Sequence, residues 1–508
     1  MLQFNLQDGY IELVGAPVIP AYLKEKLGYW QRVSELSGYQ RVMKNVWREC
    51  FTMQTRVESM GACEVMIVMP GLAGRVKALL TECKAEFRIA DLRRPFPQPD
   101  IQAAMQGMRK SQVQCVYTAL MSGGGIFAAA TGFGKSHVIG SIIRAYDPGL
   151  LRARGTPTSL ITAKDKDICL QNYNTLKGLF PDRDVGLLMS GKTIRSDDIQ
   201  VVTLDSLHKI NMEEVGILIV DEVHEAATTS RSGELAKAIY ARRWGASATP
   251  TGRFDGADLV TEGLVGPVIY KYTYQDGVRD GVLVPIEVLW LQTPEPTTVH
   301  IGKYIEMKNR LARYRHAAER NPGQNNTIRE IINRTADDKQ LLCIMQHTDQ
   351  MNILAAGLPD VVCVHAVTDV AKLSEKGNNN LQAISAKTRK ALYEQIKAGE
   401  IRKVMSTYVY KQGVDFPQLS VMIQAGGGGS AIASAQIPGR GSRLSDGKEK
   451  AYLVDFWHPW DKKLNDAGEL VDGPVLRDDK ARRRVYKKLG FTQGPVGGID
   501  DLPFLKKT

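Results

Sequence analysis

The sequence predicts an α/β protein: two tandem α/β domains with parallel sheets, a small N-terminal α+β accessory domain and a short C-terminal extension. Three observations predict it. Apolar β-type runs alternate with helical segments from about Ile126 to Pro285, the alternation resumes at KQLLCIMQHTD and ends in KAYLVDF, and the two ends of the chain do not follow it.

Residues 1–104 carry a strand EVMIVMP, a PGLAG turn, a helix RVKALLTEC and a strand AEFRIADLR, closed by the linker RPFPQPD. This is the expected accessory domain, assigned to DNA binding. Residues 105–285 are the first α/β domain, with the runs GGIFAAA, TSLITA, IQVVTLD and VGILIVDE as strands. Residues 286–456 are linker and second domain: to about residue 338 they are polar and helix-rich, which suits a linker or a leading helix of the second domain, and strands follow in KQLLCIMQHTD, DVVCVHA, IRKVMSTYVY and KAYLVDF. Residues 457–508 are the expected extension, with DDKARRRVYKKLG as a basic helix.

A chain of 508 residues has room for several cores. With 43% hydrophobic and 24% charged residues it has an ordinary globular composition, and no apolar run approaches the roughly 20 residues of a membrane span. The start MLQFNLQDGY has no secretory pattern, so a cytoplasmic protein without a membrane partner is expected. The seven cysteines form no CxxC pair, which excludes a zinc motif and fits reduced, buried thiols. The net charge of +11 favours a polyanionic partner, because Lys and Arg release counterions from phosphates.

The segment AATGFGKS, Ala129–Ser136, lies between the strand GGIFAAA and the helical run HVIGSIIRAY. Glycines at 132 and 134 let backbone N–H groups of Thr131, Gly132, Phe133 and Gly134 turn toward phosphate oxygens at a helix N-terminus. Lys135 neutralises the β- and γ-phosphates of ATP, and the Ser136 hydroxyl ligates Mg²⁺. Ala129 stands where the generic pattern has its first glycine. The strand VGILIV then runs into DEVH, where Asp221 holds Mg²⁺ and Glu222 acts as general base on the attacking water. Alone, DEVH could be two surface carboxylates; beside a phosphate loop it is an acid pair for hydrolysis.

Further along, Ser247, Ala248 and Thr249 precede Pro250 and Arg253. STYVYKQGVDFP follows, with Thr407, Gly413 and Asp415, and then QIPGRGSR, with Gln436, Gly439, Arg440 and Arg443. In this order the segments resemble motifs III, V and VI of superfamily 2 DExH-type helicases, over Arg109 to about Phe456. The narrower SATPTGR form, the DGVLVPIEV segment and the N-terminal strand, PGLAG turn and helix look like phage-encoded UvsW-type helicases. The resemblance implies RecA-like domains and an ATP- and Mg²⁺-dependent enzyme acting on forked or branched DNA, duplex or single-stranded. The implied activities are fork regression, Holliday-junction branch migration and R-loop unwinding. Replication or recombination proteins are the implied partners, in the host cytoplasm if the chain is phage-encoded.

By the same resemblance, Arg443 is the arginine finger with Arg440 as its companion, and Ser247, Ala248, Thr249 and Gln436 couple hydrolysis to movement. Gly413 and Asp415 join the nucleotide site. Gln112 matches an adenine-contacting glutamine, although Ser111 replaces the usual aromatic residue. Thr162, Lys164, Thr203 and Thr407 are expected to face DNA, with Ala163 and Lys164 departing from the usual motif Ia. Arg482, Arg483 and Arg484 are read as further phosphate contacts, against the plainer reading of a solvated helix face. An RNA helicase, a restriction-enzyme motor and a degenerate DNA-binding remodelling protein are the alternatives. No nuclease or methyltransferase element accompanies the motifs, and a degenerate core would lack Lys135, Asp221, Glu222, Arg440 or Arg443.

Overall fold

The structure is a computed structural model that describes residues 2–15, 19–37, 40–58, 61–152, 158–251, 255–369, 373, 380–407, 416–428 and 439–506. It divides into two compact units, Met1–Tyr272 and Thr273–Thr508.

In the first unit, an eight-stranded sheet runs in the order Lys192–Ile194, Val185–Met189, Ile199–Thr203, Ser159–Ala163, Ile217–Asp221, Arg242–Ser247, Gly125–Ala129, Val268–Tyr272. Every pairing is parallel except that of the edge strand Lys192–Ile194. The strands Ser159–Ala163, Ile199–Thr203 and Ile217–Asp221 are buried at every position, which is why they read as continuous apolar runs. The strand Arg242–Ser247 lies between Gly125–Ala129 and Ile217–Asp221. It therefore brings the Ser247 end between the two strands that lead into the phosphate loop and the acid pair.

The N-terminal residues belong to the same unit. Their five-stranded sheet, in the order Phe51–Glu58, Gly61–Val68, Tyr10–Gly15, Leu2–Gln7, Phe87–Asp91, packs against the helix Ala73–Glu82 through Val76, Leu79 and Leu80. The expected strand, turn and helix are all present. A second, two-stranded ribbon, Gly28–Ser37 with Gln40–Glu49, stands apart from that sheet. Arg75 grips Glu262 with two hydrogen bonds of 3.0 and 2.5 Å, tying the accessory helix to the helix Asp258–Val265.

The second unit is a fully parallel seven-stranded sheet, in the order Val362–Val364, Lys403–Ser406, Gln340–Ile344, Leu419–Gln424, Ala451–Trp457, Ile286–Gln292, Thr492–Gly497. Two expectations are corrected here. Ile286–Gln292 is a sheet strand and not linker, and residues 457–508 are built into the domain and not appended to it. Thr492–Gly497 forms the sheet edge, and the helix Pro474–Leu489 turns Val475, Leu476, Asp479, Arg482 and Tyr486 inward.

Candidate active site

The phosphate loop follows the strand Gly125–Ala129 and feeds the helix Lys135–Arg144. Gly132 and Gly134 have φ of 88° and 89°, the left-handed region that a side chain resists, so glycine is needed at both. A Cβ on Gly134 would also approach the Gln112 amide to 2.6 Å. Phe133 is buried under Tyr272 and Tyr270, with ring centroids at 4.5 and 6.2 Å, which anchors the loop from beneath. Gln112 Nε2 donates to the Phe133 carbonyl at 2.8 Å, as does the Arg109 guanidinium. The Gln112 carbonyl accepts from the Arg109 backbone at 3.2 Å. The glutamine assigned to adenine thus fastens the loop itself.

Ser136, Asn172 and Asp221 form a chain. Ser136 Oγ donates to Asn172 Oδ1 at 2.7 Å, and Asn172 Nδ2 donates to Asp221 Oδ2 at 2.9 Å. Asp221 is buried at the end of its strand. Burial pushes its carboxyl above the usual carboxylate range and the Glu222 carboxylate adds to the push, against Lys135 and the Asn172 hydrogen bond. An enclosed carboxylate beside a second acid and a hydroxyl is an oxygen donor set that a hard divalent cation satisfies, so Ser136 and Asp221 fit Mg²⁺.

Glu222 carries φ 48°, a left-handed conformation unusual for a residue with a side chain. The bend aims its carboxylate at Lys135 Nζ, 3.5 Å away, and at Ser247 Oγ, which donates to it at 3.3 Å. Ser247 Oγ lies 2.9 Å from His224 Nδ1 and accepts from the Thr249 backbone at 3.1 Å. Lys164, exposed at the end of its strand, pairs with Glu225 at 2.9 Å. One polar network therefore spans Lys135, Glu222, Ser247 and His224, with Lys164 paired to Glu225 next in sequence to His224.

Sequence reasoning placed Lys135, Ser136, Asp221, Glu222, Ser247 and Thr249 together, and the structure brings them together. It missed Asn172. The available signal was its place on the buried stripe of the helix Lys166–Leu179, with Cys169, Tyr173 and Leu176, where a polar side chain needs a partner. Thr162 is corrected: it is wholly buried within its strand and offers no face to a ligand. Thr203 is also buried, its hydroxyl bonded to Ser206 at 3.0 Å.

In the second unit, Thr407 ends the strand segment, its N–H donating to the Val364 carbonyl at 3.1 Å. Gly413, Asp415, Gln436 and Arg253 lie outside the described residues. Arg440 is buried, Arg443 bridges antiparallel to Leu283, and the Ser442 carbonyl accepts from Val284 N at 2.7 Å, which ties this turn to the VLVP segment. Arg482 is corrected as a phosphate contact. It is buried, with Nε and Nη2 on Asp455 at 2.8 and 2.9 Å and Nη2 on Asp479 at 2.9 Å, whereas Arg483 and Arg484 are exposed.

Residues 106–252 match the family of the type III restriction enzyme res subunit. The protein named as ATP-dependent helicase IRC3 in Saccharomyces cerevisiae is 26% identical over 346 residues, 64% of this chain and 47% of IRC3. Over these stretches the chain is similar to proteins named as helicases. Helicase 22 of Sulfolobus islandicus filamentous virus is likewise 26% identical, over 79% of this chain and 70% of its own. The chain spans about half the length of the yeast protein. The solved structure of the helicase MrfA bound to DNA shares the fold at TM-score 0.51 and 13% identity, covering 80% of this chain and 52% of MrfA. The phosphate loop, acid pair and Ser-Ala-Thr turn meet at the carboxyl ends of adjacent parallel strands.

Proposed function

We propose that this chain is an ATP-dependent DNA helicase or translocase that remodels branched DNA in replication, recombination or repair, by fork regression, Holliday-junction branch migration and R-loop unwinding. The observation that carries ATP turnover is the network joining Ser136, Asn172 and Asp221 beside Lys135 and Glu222. Glu222 takes the proton of the water that attacks the γ-phosphorus; the bond to the bridging oxygen breaks, and ADP and phosphate leave. Ser136 and Asp221 would hold Mg²⁺, which would supply charge neutralisation at the phosphate oxygens. Arg443, with Arg440 as companion, supplies the guanidinium that answers the γ-phosphate charge.

The net charge of +11 and the exposed Lys164 support a polyanionic track, and DNA is the track we propose. The test is ATP turnover and strand displacement by the full chain on single-stranded, forked, four-way and RNA-hybrid substrates. Stimulation by forked and four-way DNA is the expected result. Stimulation by RNA alone would overturn the DNA assignment, and equal activity on linear and branched DNA would overturn the branched preference.

A further inference from the structure

The ribbon formed by Gly28–Ser37 and Gln40–Glu49 pairs over ten residue pairs in its own two-stranded sheet. A two-stranded ribbon is marginal in water, and one that spends its apolar residues on solvent needs a reason to keep them there. Trp30 is 63% exposed, the most exposed of the large hydrophobic side chains in the described residues. It pairs directly across the ribbon with Trp47, the rings meeting edge to face at 5.4 Å. Trp47 lies over Gly28, where a Cβ would collide with its ring, and gives its N–H to Glu49 at 3.3 Å. Trp47 is thus seated at the base, and it props Trp30 outward.

The ribbon is net basic, with Arg32, Arg41, Lys44 and Arg48 against Glu35 and Glu49. By pairing, positions 44 and 48 have the parity opposite to the tryptophans, and Glu49, which shares theirs, is already bonded to Trp47. An exposed aromatic plane on a net basic ribbon suits a nucleobase with its phosphate, since stacking is indifferent to sequence and cations take up the backbone.

The base of the ribbon rests on the segment that follows the Ser-Ala-Thr turn. Gly256, at φ 77°, lies so close to the Trp30 carbonyl that a Cβ would come within 2.6 Å of that oxygen. A cavity of about 370 Å³ is lined by Tyr29 of the ribbon together with Pro250, Thr251 and Gly256. The ribbon is therefore mounted on the chain that leaves the hydrolysis site at Ser247.

We infer that the Gly28–Glu49 ribbon is a nucleic-acid-engaging element that stacks an unpaired DNA base on Trp30 at the junction of single and double strand. This inference rests on the DNA reading above. The test uses the full chain and two DNA probes of one sequence, a fork with unpaired tails and a blunt duplex, with binding followed by fluorescence anisotropy. Trp30→Ala should weaken fork binding about tenfold, the loss of one stacked base. Blunt-duplex binding and the melting temperature should stay unchanged, and Trp30→Phe should hold fork affinity within about twofold. Equal fork binding by Trp30→Ala and wild type, with DNA bound by both, overturns the ribbon assignment alone and points the surface toward a protein partner. Equal weakening on fork and blunt duplex, or a Trp30→Phe defect as large as that of Trp30→Ala, also overturns it. A wild-type chain that binds neither probe overturns the DNA reading itself.

Discussion

At the scale of single residues, Asp221 sets folding against chemistry. Its carboxyl is raised by burial and by Glu222, so the ionised form burdens the fold. A raised acid contributes stability that is fully present below its unfolded pKa, about 4, and is lost as pH rises from there to the folded value. Asp221→Asn should therefore raise the melting temperature of the nucleotide-free protein near neutral pH by about 1–4 °C while abolishing ATP turnover. A lowered melting temperature in calorimetry would show that the charge is compensated. Lys135 and Glu222 separate binding from catalysis. Lys135→Ala should impair nucleotide binding and turnover together, whereas Glu222→Gln should bind ATP and lose about 10²–10⁴-fold in turnover, as expected for a lost general base. Near-normal hydrolysis by Glu222→Gln would remove that role. The acid pair was legible because two carboxylates at the end of an apolar strand are conspicuous. Asn172 was missed, because its signal, a polar residue on the apolar stripe of its helix, shows that a partner is needed but not that the partners are Ser136 and Asp221.

At the scale of elements, the helix Pro474–Leu489 shows why a charge run misleads. Its three consecutive arginines point in different directions, 100° of helix rotation apart, and Arg482 falls on the stripe of Val475, Leu476, Asp479 and Tyr486. Removing a buried guanidinium leaves Asp455 and Asp479 uncompensated, so Arg482→Ala should destabilise the second unit by about 3–5 kcal/mol. The double variant Arg483→Ala and Arg484→Ala should leave the melting temperature alone and reduce the salt slope of DNA binding by about 2. If the double variant melts early and Arg482→Ala does not, the two roles are exchanged.

Asp479 adds a pH dependence. Burial opposes its ionisation, but His458 and Arg482 prevail and hold the carboxyl below the usual range. A depressed acid contributes stability above its unfolded pKa, about 4, and loses it as pH falls through the folded value. The second unit should accordingly lose stability below about pH 4 in circular dichroism; a flat profile from pH 6 to pH 3 would contradict this. The edge strand Thr492–Gly497 escaped sequence reading for a related reason. Its TQGPVG sequence holds two glycines and a proline, residues tolerated at an edge but poor in strand signal.

At the scale of the whole molecule, buried parallel strands such as Ser159–Ala163, Ile217–Asp221 and Gln340–Ile344 made two α/β domains readable, because they are mostly apolar runs; Leu419–Gln424, equally buried, was not read. What periodicity could not supply was membership. The ribbon and the five-stranded sheet belong with the first unit through contacts such as Arg75 with Glu262, nearly two hundred residues apart, and such pairings leave no local trace. Arg443 is proposed to answer the γ-phosphate charge, so turnover should depend on it. The most direct measurement is single-turnover hydrolysis by Arg443→Ala at saturating forked DNA. ATP affinity should stay within about tenfold of wild type while the hydrolysis rate falls by roughly 10³ or more, the loss attributed to an arginine finger. A rate close to wild type would contradict that role of Arg443.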